Sequence, residues 1–321
     1  MPRLLFFLLL VFFSCFLRAN NVIKKKAIIF TKSEKINEHT TRIPFKLVDH
    51  LIVVEAEIHG QKGNFIIDTG SEAMILNKVH FNNLNKHQKK DNQSYGILEA
   101  VDNPYEKQIK DFVLENFKLE SINSDVIDLS HIEHSKKVKL LGIIGFSVLK
   151  EYEVFIDLYL NQITLSKVDR DGNKLDKDVY LEEIVDSLNF TLKNHTIILY
   201  GDVNNQKVKF GLDTAAEFNQ ISKNLNKEIL KNFIPKKRLT LVGAGNRKIE
   251  VMAGKMHRVR LSETLFFGPM NTVLTNFSQM NKAFGTDLDG ILGYEFFKTK
   301  RTIINYHKEM LYFIEYPITQ H

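Results

Sequence analysis

A segment that occurs twice constrains this chain more than any other feature. Residues 60–77 align without gaps with residues 205–222, 145 positions further along. In both copies a short apolar strand runs into an Asp-Thr pair. The identical pairs are Gln61/Gln206, Lys62/Lys207, Phe65/Phe210, Asp68/Asp213, Thr69/Thr214 and Glu72/Glu217. An aspartate that follows a buried strand needs hydrogen bonds or a charged partner, because burying an unpaired carboxylate is costly.

A second motif also repeats, and it keeps the same order along the chain. Residues 142–146 read Gly-Ile-Ile-Gly-Phe, and residues 290–294 read Gly-Ile-Leu-Gly-Tyr, 148 positions later. Because the two matches have nearly the same spacing, they indicate an internal duplication of one half-molecule. Alternating apolar residues, separated by turns that contain Gly and Asn, predict a mainly β structure between the motifs.

Together the motifs resemble those of the aspartic peptidases, and in particular the retropepsin-like group. A lobe of that family contains an apolar strand, Asp-Thr/Ser-Gly, a flap hairpin and a late hydrophobic-hydrophobic-Gly motif. The counterparts here are Asp68-Thr69-Gly70 with Ile143-Ile144-Gly145, and Asp213-Thr214-Ala215 with Ile291-Leu292-Gly293. The resemblance implies a mainly β fold of two retropepsin-like β-barrel lobes, related by an approximate two-fold axis, with the active-site cleft between them.

The resemblance also divides the chain into segments. These are a signal peptide at 1–19, an exported N-terminal segment at 20–42, a first lobe at 43–168, a linker at 169–188, a second lobe at 189–316 and a tail at 317–321. By position, the first flap falls within residues 95–113, with Asp102-Asn103-Pro104 as its tip. The second flap falls within residues 239–251, with its turn at residues 243–246.

In this family two aspartates meet at the two-fold axis, and the resemblance assigns that role to Asp68 and Asp213. Two carboxyl groups at hydrogen-bonding distance hold one proton between them, because like charges so close do not both ionise easily. The pair then contains a base for a bound water and an acid for the peptide carbonyl. The resemblance therefore implies an aspartic endopeptidase that hydrolyses peptide bonds with an activated water and needs no metal or other cofactor.

The residues beside the two aspartates are the predicted active-site support. The resemblance implies that the Thr69 and Thr214 hydroxyls reach across the axis into the opposite half. Gly70 fits the family pattern, in which a glycine lets the backbone approach the carboxylate and the substrate closely. Ala215 departs from that pattern. The departure leaves open an alternative, a catalytically weak or inactive module that grips an extended peptide in β fashion without cutting it.

Ser71 and Ala216 are a second difference between the two copies. A hydroxyl at this position that donates to the adjacent carboxylate favours its charged form. We therefore expect Asp68 to ionise more readily and Asp213 to hold the shared proton.

The N-terminus predicts export to the periplasm, the cell envelope or the exterior. Arg3 precedes an apolar run over residues 4–13 that is typical of a secretory signal and too short to span a membrane, which takes about 20 residues. Cleavage is expected near Ala19. The alternative is a lipoprotein signal in which Cys15 is lipidated, and the lipid would then tether the protein to a membrane. As the only cysteine, it also excludes disulfides within the chain.

Charge and histidine patterns limit the partners. The net charge of +6 is dispersed, and the basic runs at 24–26 and 236–238 have no interleaved aromatic residues, so nucleic acid is not an expected partner. The eleven histidines show no paired spacing of metal ligands. The expected partner is a peptide or protein substrate in extended conformation. Since one chain carries both halves, we expect a monomer.

Overall fold

A computed structural model describes residues 27–81, 94–95, 100–101, 105–177, 182–242 and 248–315. The predicted signal peptide, Cys15, the first flap tip at 102–104, the second flap turn at 243–246 and the predicted tail lie outside these residues.

The described residues of the first half form fifteen strands and two helices, with a 3₁₀ turn at Lys78–His80. The strands are β1 (Glu34–Lys35), β2 (Thr40–Pro44), β3 (Lys46–Val48), β4 (Leu51–Ile58), β5 (Gln61–Ile67), β6 (Met74–Asn77), β7 (Ser94–Tyr95), β8 (Ala100–Val101), β9 (Tyr105–Ile109), β10 (Phe112–Leu114), β11 (Phe117–Leu119), β12 (Ile122–Ile127), β13 (Leu140–Ile144), β14 (Tyr152–Asp157) and β15 (Gln162–Lys167). The helices are α1 (Ser130–Lys136) and α2 (Phe146–Leu149).

The second half repeats much of this order. Its strands are β16 (Ile184–Asn189), β17 (Thr191–Lys193), β18 (Thr196–Val203), β19 (Gln206–Leu212), β20 (Asn219–Ser222), β21 (Phe233–Val242), β22 (Lys248–Met256), β23 (Val259–Arg260), β24 (Phe266–Phe267), β25 (Met270–Thr275), β26 (Gly290–Leu292), β27 (Arg301–Asn305) and β28 (Met310–Ile314). Its helices are α3 (Lys227–Leu230), α4 (Ser278–Phe284) and α5 (Tyr294–Phe297).

Two sheets form the two lobes. The sheet of lobe 1 has the order β11-β10-β4-β5-β13-β6-β12-β9, and β3 pairs with β4. The sheet of lobe 2 has the order β21-β22-β25-β20-β26-β19-β18-β23-β24, and β17 pairs with β18. In both lobes the strand before the Asp-Thr pair lies parallel to the strand of the glycine motif, which pairs antiparallel with the strand after Asp-Thr. The mainly β, two-lobed architecture confirms the predicted fold class.

A third sheet joins the two halves. Its order is β1-β2-β15-β14-β27-β28-β16, so β2, β15 and β14 on one side mirror β16, β28 and β27 on the other. The central pair is β14–β27, in which Val154 lies opposite Ile304. Strand β16 begins at Ile184, inside the segment predicted as a linker. Thr40 and Thr41, from the predicted N-terminal segment, are fully buried in this sheet.

Successive apolar side chains of the central strands point to opposite faces of the sheet, so each lobe sheet has two apolar faces. In β5, Phe65 and Ile67 pack into the main core, whereas Ile66 faces a smaller cluster beside α1. In lobe 2 the counterpart cluster includes Met280 of α4 and Ile291 of β26. No helix in the described part of the chain is long and apolar enough to cross a membrane.

A buried ion cluster supports the joining sheet. The side chain of Arg301 is only 1% exposed, and it donates to Asp157 at 2.6 and 3.0 Å. Arg301 also donates to the Glu182 carboxylate and to the backbone oxygen of Glu315. The Glu182 and Asp157 charges compensate the guanidinium, whose burial without them would be strongly unfavourable.

Candidate active site

The two predicted catalytic aspartates occupy equivalent loops, each at the end of a buried strand. The Asp68 amide donates to the Ile144 oxygen at 3.0 Å, and the Asp213 amide donates to the Leu292 oxygen at the same distance. Both bonds tie the aspartate to the strand that carries the glycine motif. The glycine of each motif packs so closely against a backbone carbonyl that a side chain there would clash. A Cβ built on Gly145, for example, would lie 2.3 Å from the Ala73 backbone oxygen.

The two threonines cross between the loops. The Thr69 hydroxyl accepts the Thr214 amide at 3.0 Å, and the Thr214 hydroxyl accepts the Thr69 amide at 3.1 Å. Each hydroxyl also donates to a backbone oxygen of the other lobe: Thr69 to Leu212 at 3.3 Å, and Thr214 to Ile67 at 2.8 Å. Both threonines are buried, so these bonds hold the two loops in one fixed arrangement.

The two carboxyl groups face each other and share a hydrogen bond. Oδ1 of Asp68 accepts the Gly70 amide, and Oδ1 of Asp213 accepts the Ala215 amide, both at 2.8 Å. Burial, followed by the Asp213 charge, raises the pKa of Asp68 well above its ordinary value. Burial also raises the pKa of Asp213, but the bond from Asp68 and the Ala215 amide oppose that rise. Because both carboxyl groups are buried and close together, they resist losing both protons and hold one proton between them.

The Ser71 side chain does not make the contact predicted from the sequence. The Ser71 hydroxyl donates to the Ala73 backbone oxygen at 3.0 Å rather than to the Asp68 carboxylate. The backbone amides of Gly70 and Ser71 lower the pKa of Asp68, but burial and the Asp213 charge outweigh them. The prediction that the Ser71 hydroxyl donates to the adjacent carboxylate was therefore wrong. At the equivalent position, the Ala216 methyl is buried in the apolar cluster of lobe 2.

Gly70 and Ala215 differ for a visible steric reason. A Cβ built on Gly70 would lie 2.7 Å from Cγ of Asp213 and within 3.0 Å of both its carboxylate oxygens. Gly70 therefore allows the opposing carboxylate to approach. Ala215 is not among the residues with positive φ, so its methyl group brings no backbone strain of that kind. Its side chain packs against the smaller apolar cluster of lobe 1.

The chain is similar to known aspartic proteases. Residues 54–148 match the family model described as aspartyl protease. Among solved structures, the chain is similar to the crystal structure of a retropepsin-like aspartic protease from Rickettsia conorii, with 18% identity, coverage of 42% of this chain and 94% of that chain, and a TM-score of 0.30. A search of curated proteins found no significant match.

The aspartyl protease match contains the first Asp-Thr-Gly and the first glycine motif, and it agrees with the predicted resemblance to the aspartic peptidases. The second Asp-Thr pair lies outside the matched segment. Its loop nevertheless has the same strand pairing and the same hydrogen bonds as the loop of the aspartyl protease lobe. The catalytic role of Asp68 and Asp213 stays a prediction that these contacts support.

A hairpin stands where the flap of the second lobe was predicted. Strands β21 and β22 pair over their whole length, and Leu239 lies opposite Val251, which confirms a hairpin at residues 239–251. Its apolar side chains cluster with Val273 and with Phe218, which lies five residues after Asp213. In lobe 1, β9 starts at Tyr105 and pairs with β12. The predicted tip of that flap lies outside the described residues.

Sequence-based prediction missed two histidines and a tyrosine near the aspartates. Nδ1 of His50 lies 3.3 Å from the Glu217 backbone oxygen, and Nδ1 of His195 lies 3.8 Å from Oε2 of Glu72, so each ring lies beside the aspartate loop of the opposite lobe. The ungapped repeat would have indicated them, because it extends upstream through Phe45/Phe190, Leu47/Leu192 and His50/His195. Tyr306 is buried with its hydroxyl unpaired, and burial and the Asp68 charge raise its pKa. Within the described residues, no group of three or more His, Cys, Asp or Glu side chains could hold a metal ion.

Proposed function

We propose that this chain is an exported, single-chain aspartic endopeptidase whose Asp68 and Asp213 hydrolyse peptide bonds with an activated water. The observation that carries the proposal is the shared hydrogen bond between the two carboxyl groups, held by matching backbone amides from Gly70 and Ala215. Such a pair offers an acid and a base within the same site.

We assign the shared proton to Asp68, because burial and the Asp213 charge raise its pKa well above its ordinary value. Asp213, the ionised partner, takes a proton from a water molecule as that water attacks the substrate carbonyl carbon. Asp68 gives its proton to the carbonyl oxygen, and the tetrahedral intermediate forms. The two groups then exchange roles as the C–N bond breaks and the leaving amine is protonated. The crossed hydrogen bonds of Thr69 and Thr214 keep the two carboxyl groups in register throughout.

The proposed substrate is a peptide segment in extended conformation. The β21–β22 hairpin carries the half-buried Leu239, Leu241 and Ile249, which form an apolar surface with Phe218 near the Asp213 loop. Extended peptides suit such a surface because a hairpin edge offers backbone hydrogen bonds and alternate side chains meet apolar contacts. The mirrored strand pairing of the two halves supports an internal duplication and a monomeric enzyme. The proposal that the protein is exported is based only on the apolar N-terminal run.

The test is cleavage of denatured casein by the purified protein between pH 3 and pH 8, with and without a statine-type inhibitor. Asp68→Asn and Asp213→Asn are compared with Asp171→Asn, a matched change at an exposed aspartate outside the site. We expect inhibitable cleavage by the unmutated protein and by Asp171→Asn. In Asp68→Asn and in Asp213→Asn the rate of casein cleavage should fall at least about 100-fold, since general acid–base catalysis contributes at least that factor.

Other outcomes discriminate among the alternatives. A folded protein that binds the inhibitor without cutting casein or short peptides would favour the peptide-binding module. Cleavage that survives both dyad substitutions would refute the proposed mechanism. Signal-peptide processing is tested separately, by N-terminal sequencing of protein recovered from the host envelope. A mature N-terminus close to Asn20 would support export, and retention of Met1 would contradict it.

A further inference from the structure

The loop that carries Asp213 is held in part by the opposite lobe. Glu217 lies four residues after Asp213, and its Oε1 accepts a hydrogen bond from the Lys136 ammonium at 2.5 Å. Lys136 lies in the last turn of α1 in lobe 1, and its ammonium is also 3.5 Å from Oδ2 of Asp49. The Lys136 side chain is only 14% exposed, so the pair is shielded from most of the water that weakens exposed ion pairs.

The Glu217 backbone is held from lobe 1 as well. Nδ1 of His50 lies 3.3 Å from the Glu217 backbone oxygen. The His50 ring stacks on Tyr294 with the ring centroids 4.2 Å apart, and it meets the Phe218 ring edge-on at 5.9 Å. The Tyr294 amide in turn donates to the Ala216 backbone oxygen at 2.9 Å. Contacts from both lobes therefore converge on the same short stretch of the Asp213 loop.

The equivalent loop of lobe 1 is anchored differently. Glu72 corresponds to Glu217, and its backbone oxygen accepts the Ser147 amide of α2, in the same lobe, at 3.0 Å. Among the residues that the structure describes, no backbone amide donates to the Glu217 oxygen. The residue equivalent to Lys136 is the uncharged Phe284, and the Glu72 side chain is 75% exposed. Lobe 1 therefore anchors its own aspartate loop, whereas the loop of lobe 2 depends on lobe 1.

The contacts at Glu217 lead back to a carboxylate of the proposed catalytic pair. The Ala215 amide donates to Oδ1 of Asp213 at 2.8 Å, and the Ala216 amide donates to the Asp213 backbone oxygen at 3.3 Å. A single residue separates Glu217 from Ala215. Because the chain is continuous and tightly bonded here, a displacement of Glu217 is passed on to the Ala215 amide.

We propose that Lys136 is a positioning residue for Asp213: its ion pair with Glu217 holds the loop in which the Ala215 amide binds the Asp213 carboxylate. The kinetic consequence rests on the proposed function, because Asp213 is one of the two proposed catalytic residues. Lys136 acts through Glu217 and takes no part in proton transfer. The contact of His50 with the Glu217 backbone supports the same loop from the same lobe.

The first test compares Lys136→Met, which keeps most of the stem but loses the charge, with Lys136→Arg, which keeps the charge. Lys62→Met is the matched control, because Lys62 is an exposed lysine of the same lobe that lies 4.0 Å from Glu55. We expect Lys136→Met to lower kcat on an unstructured peptide about tenfold while KM changes less than about threefold, since a displacement of about 1 Å costs up to about 100-fold. Lys136→Arg should recover most of the kcat, and Lys62→Met should leave it unchanged.

A second test uses the internal repeat as its control. Glu217→Gln removes the charge that Lys136 binds, and Glu72→Gln makes the same change at the equivalent position, which has no lysine partner. The kcat of Glu217→Gln should fall about as far as that of Lys136→Met, and the double variant should fall no further, because the two residues act as one pair. Glu72→Gln should leave kcat unchanged.

A third readout does not depend on cleavage. Carbon NMR of the aspartate carboxyl groups follows the titration of the Asp68–Asp213 pair in each variant. Because the Ala215 amide favours the charged form of Asp213, loosening it should move the apparent pKa of the pair upward by about half a unit in Lys136→Met and Glu217→Gln. Lys136→Arg and Glu72→Gln should titrate like the unmutated protein.

The outcomes separate the two proposals. Unchanged kcat and titration in Lys136→Met overturn the positioning role, as does an equal loss of kcat in Glu72→Gln and Glu217→Gln or in folded Lys136→Arg and Lys136→Met. An NMR shift confined to Lys136→Met and Glu217→Gln, in a protein that cuts no substrate, supports the positioning role and refutes the proposed function. If Lys136→Met does not fold, Glu217→Gln decides the question: a lower kcat with a raised apparent pKa supports the ion pair, and wild-type values overturn it.

Discussion

Gly70 is the position where a single methyl group should perturb catalysis most directly. In Gly70→Ala the new Cβ would lie 2.7 Å from Cγ of Asp213. Two carbon atoms without a bond prefer about 3.5 Å or more, so either the carboxylate or the loop must move by about 0.8 Å. The Thr69 and Thr214 hydrogen bonds resist movement of the backbone. The Asp213 side chain must therefore take most of the displacement.

The size of the effect follows from that displacement. A shift of about 1 Å at a reacting group costs up to about 100-fold in rate, so we expect kcat of Gly70→Ala to fall by roughly 50-fold to 100-fold. Overpacking should also destabilise the fold, by about 1–3 kcal/mol. The free energy of unfolding in urea and the kcat on an unstructured peptide measure these two effects separately.

Ala215→Gly is the matched control, because it removes a methyl group at the equivalent position of the other loop. Ala215 has no positive φ, so the exchange should cost about 1 kcal/mol or less in backbone entropy and change kcat by less than about threefold. Titration with a statine-type inhibitor gives the concentration of competent sites in each variant. Wild-type kcat in Gly70→Ala, with a full count of sites, would refute the steric reasoning.

Three other substitutions test separate parts of the structure by urea or thermal unfolding. The pKa of Asp68 is raised in the folded state, so the folded protein binds its proton more tightly, and this stabilisation falls as pH rises from about 4 through the raised pKa. Asp68→Asn should therefore gain stability over the unmutated protein at pH 7 but not at pH 3; no gain at pH 7 contradicts this. Thr69→Val leaves the buried Thr214 amide without its acceptor and should cost about 1–3 kcal/mol, whereas Thr69→Ser should cost less. Asp157→Ala leaves the buried Arg301 short of a partner and should cost about 3–5 kcal/mol; a loss below about 1 kcal/mol would show that the ion pair contributes little.

Much of the fold could be predicted because the pattern is local. The alternation around Phe65 and Phe210 predicts the two strands before the aspartates, and the structure has them as β5 and β19. The hairpin expected at residues 239–251 is formed by β21 and β22. These elements are predictable because neighbouring residues share one face of a strand or one turn of a helix.

Other elements depend on contacts that no local pattern contains. Helix α1 is mostly polar, and Ile132 packs on a sheet face whose strands come from elsewhere in the chain. Strand β16, in the segment expected as a linker, forms because the edge of β28 is available to it. The Ser71 prediction failed for a similar reason. Its hydroxyl had two acceptors within reach of the turn, and the backbone oxygen of Ala73 is the one that accepts it.

The sequence by itself determined the repeated Asp-Thr pairs, the glycine motifs and the mainly β pattern of both lobes, because each is encoded within a few neighbouring residues. Only the tertiary structure decided that the two aspartates form a buried pair and that the Thr69 and Thr214 hydroxyls cross between the lobes. Proton affinity depends on burial and on the charge opposite, and both arise from groups about 145 residues away that meet only when the lobes pack.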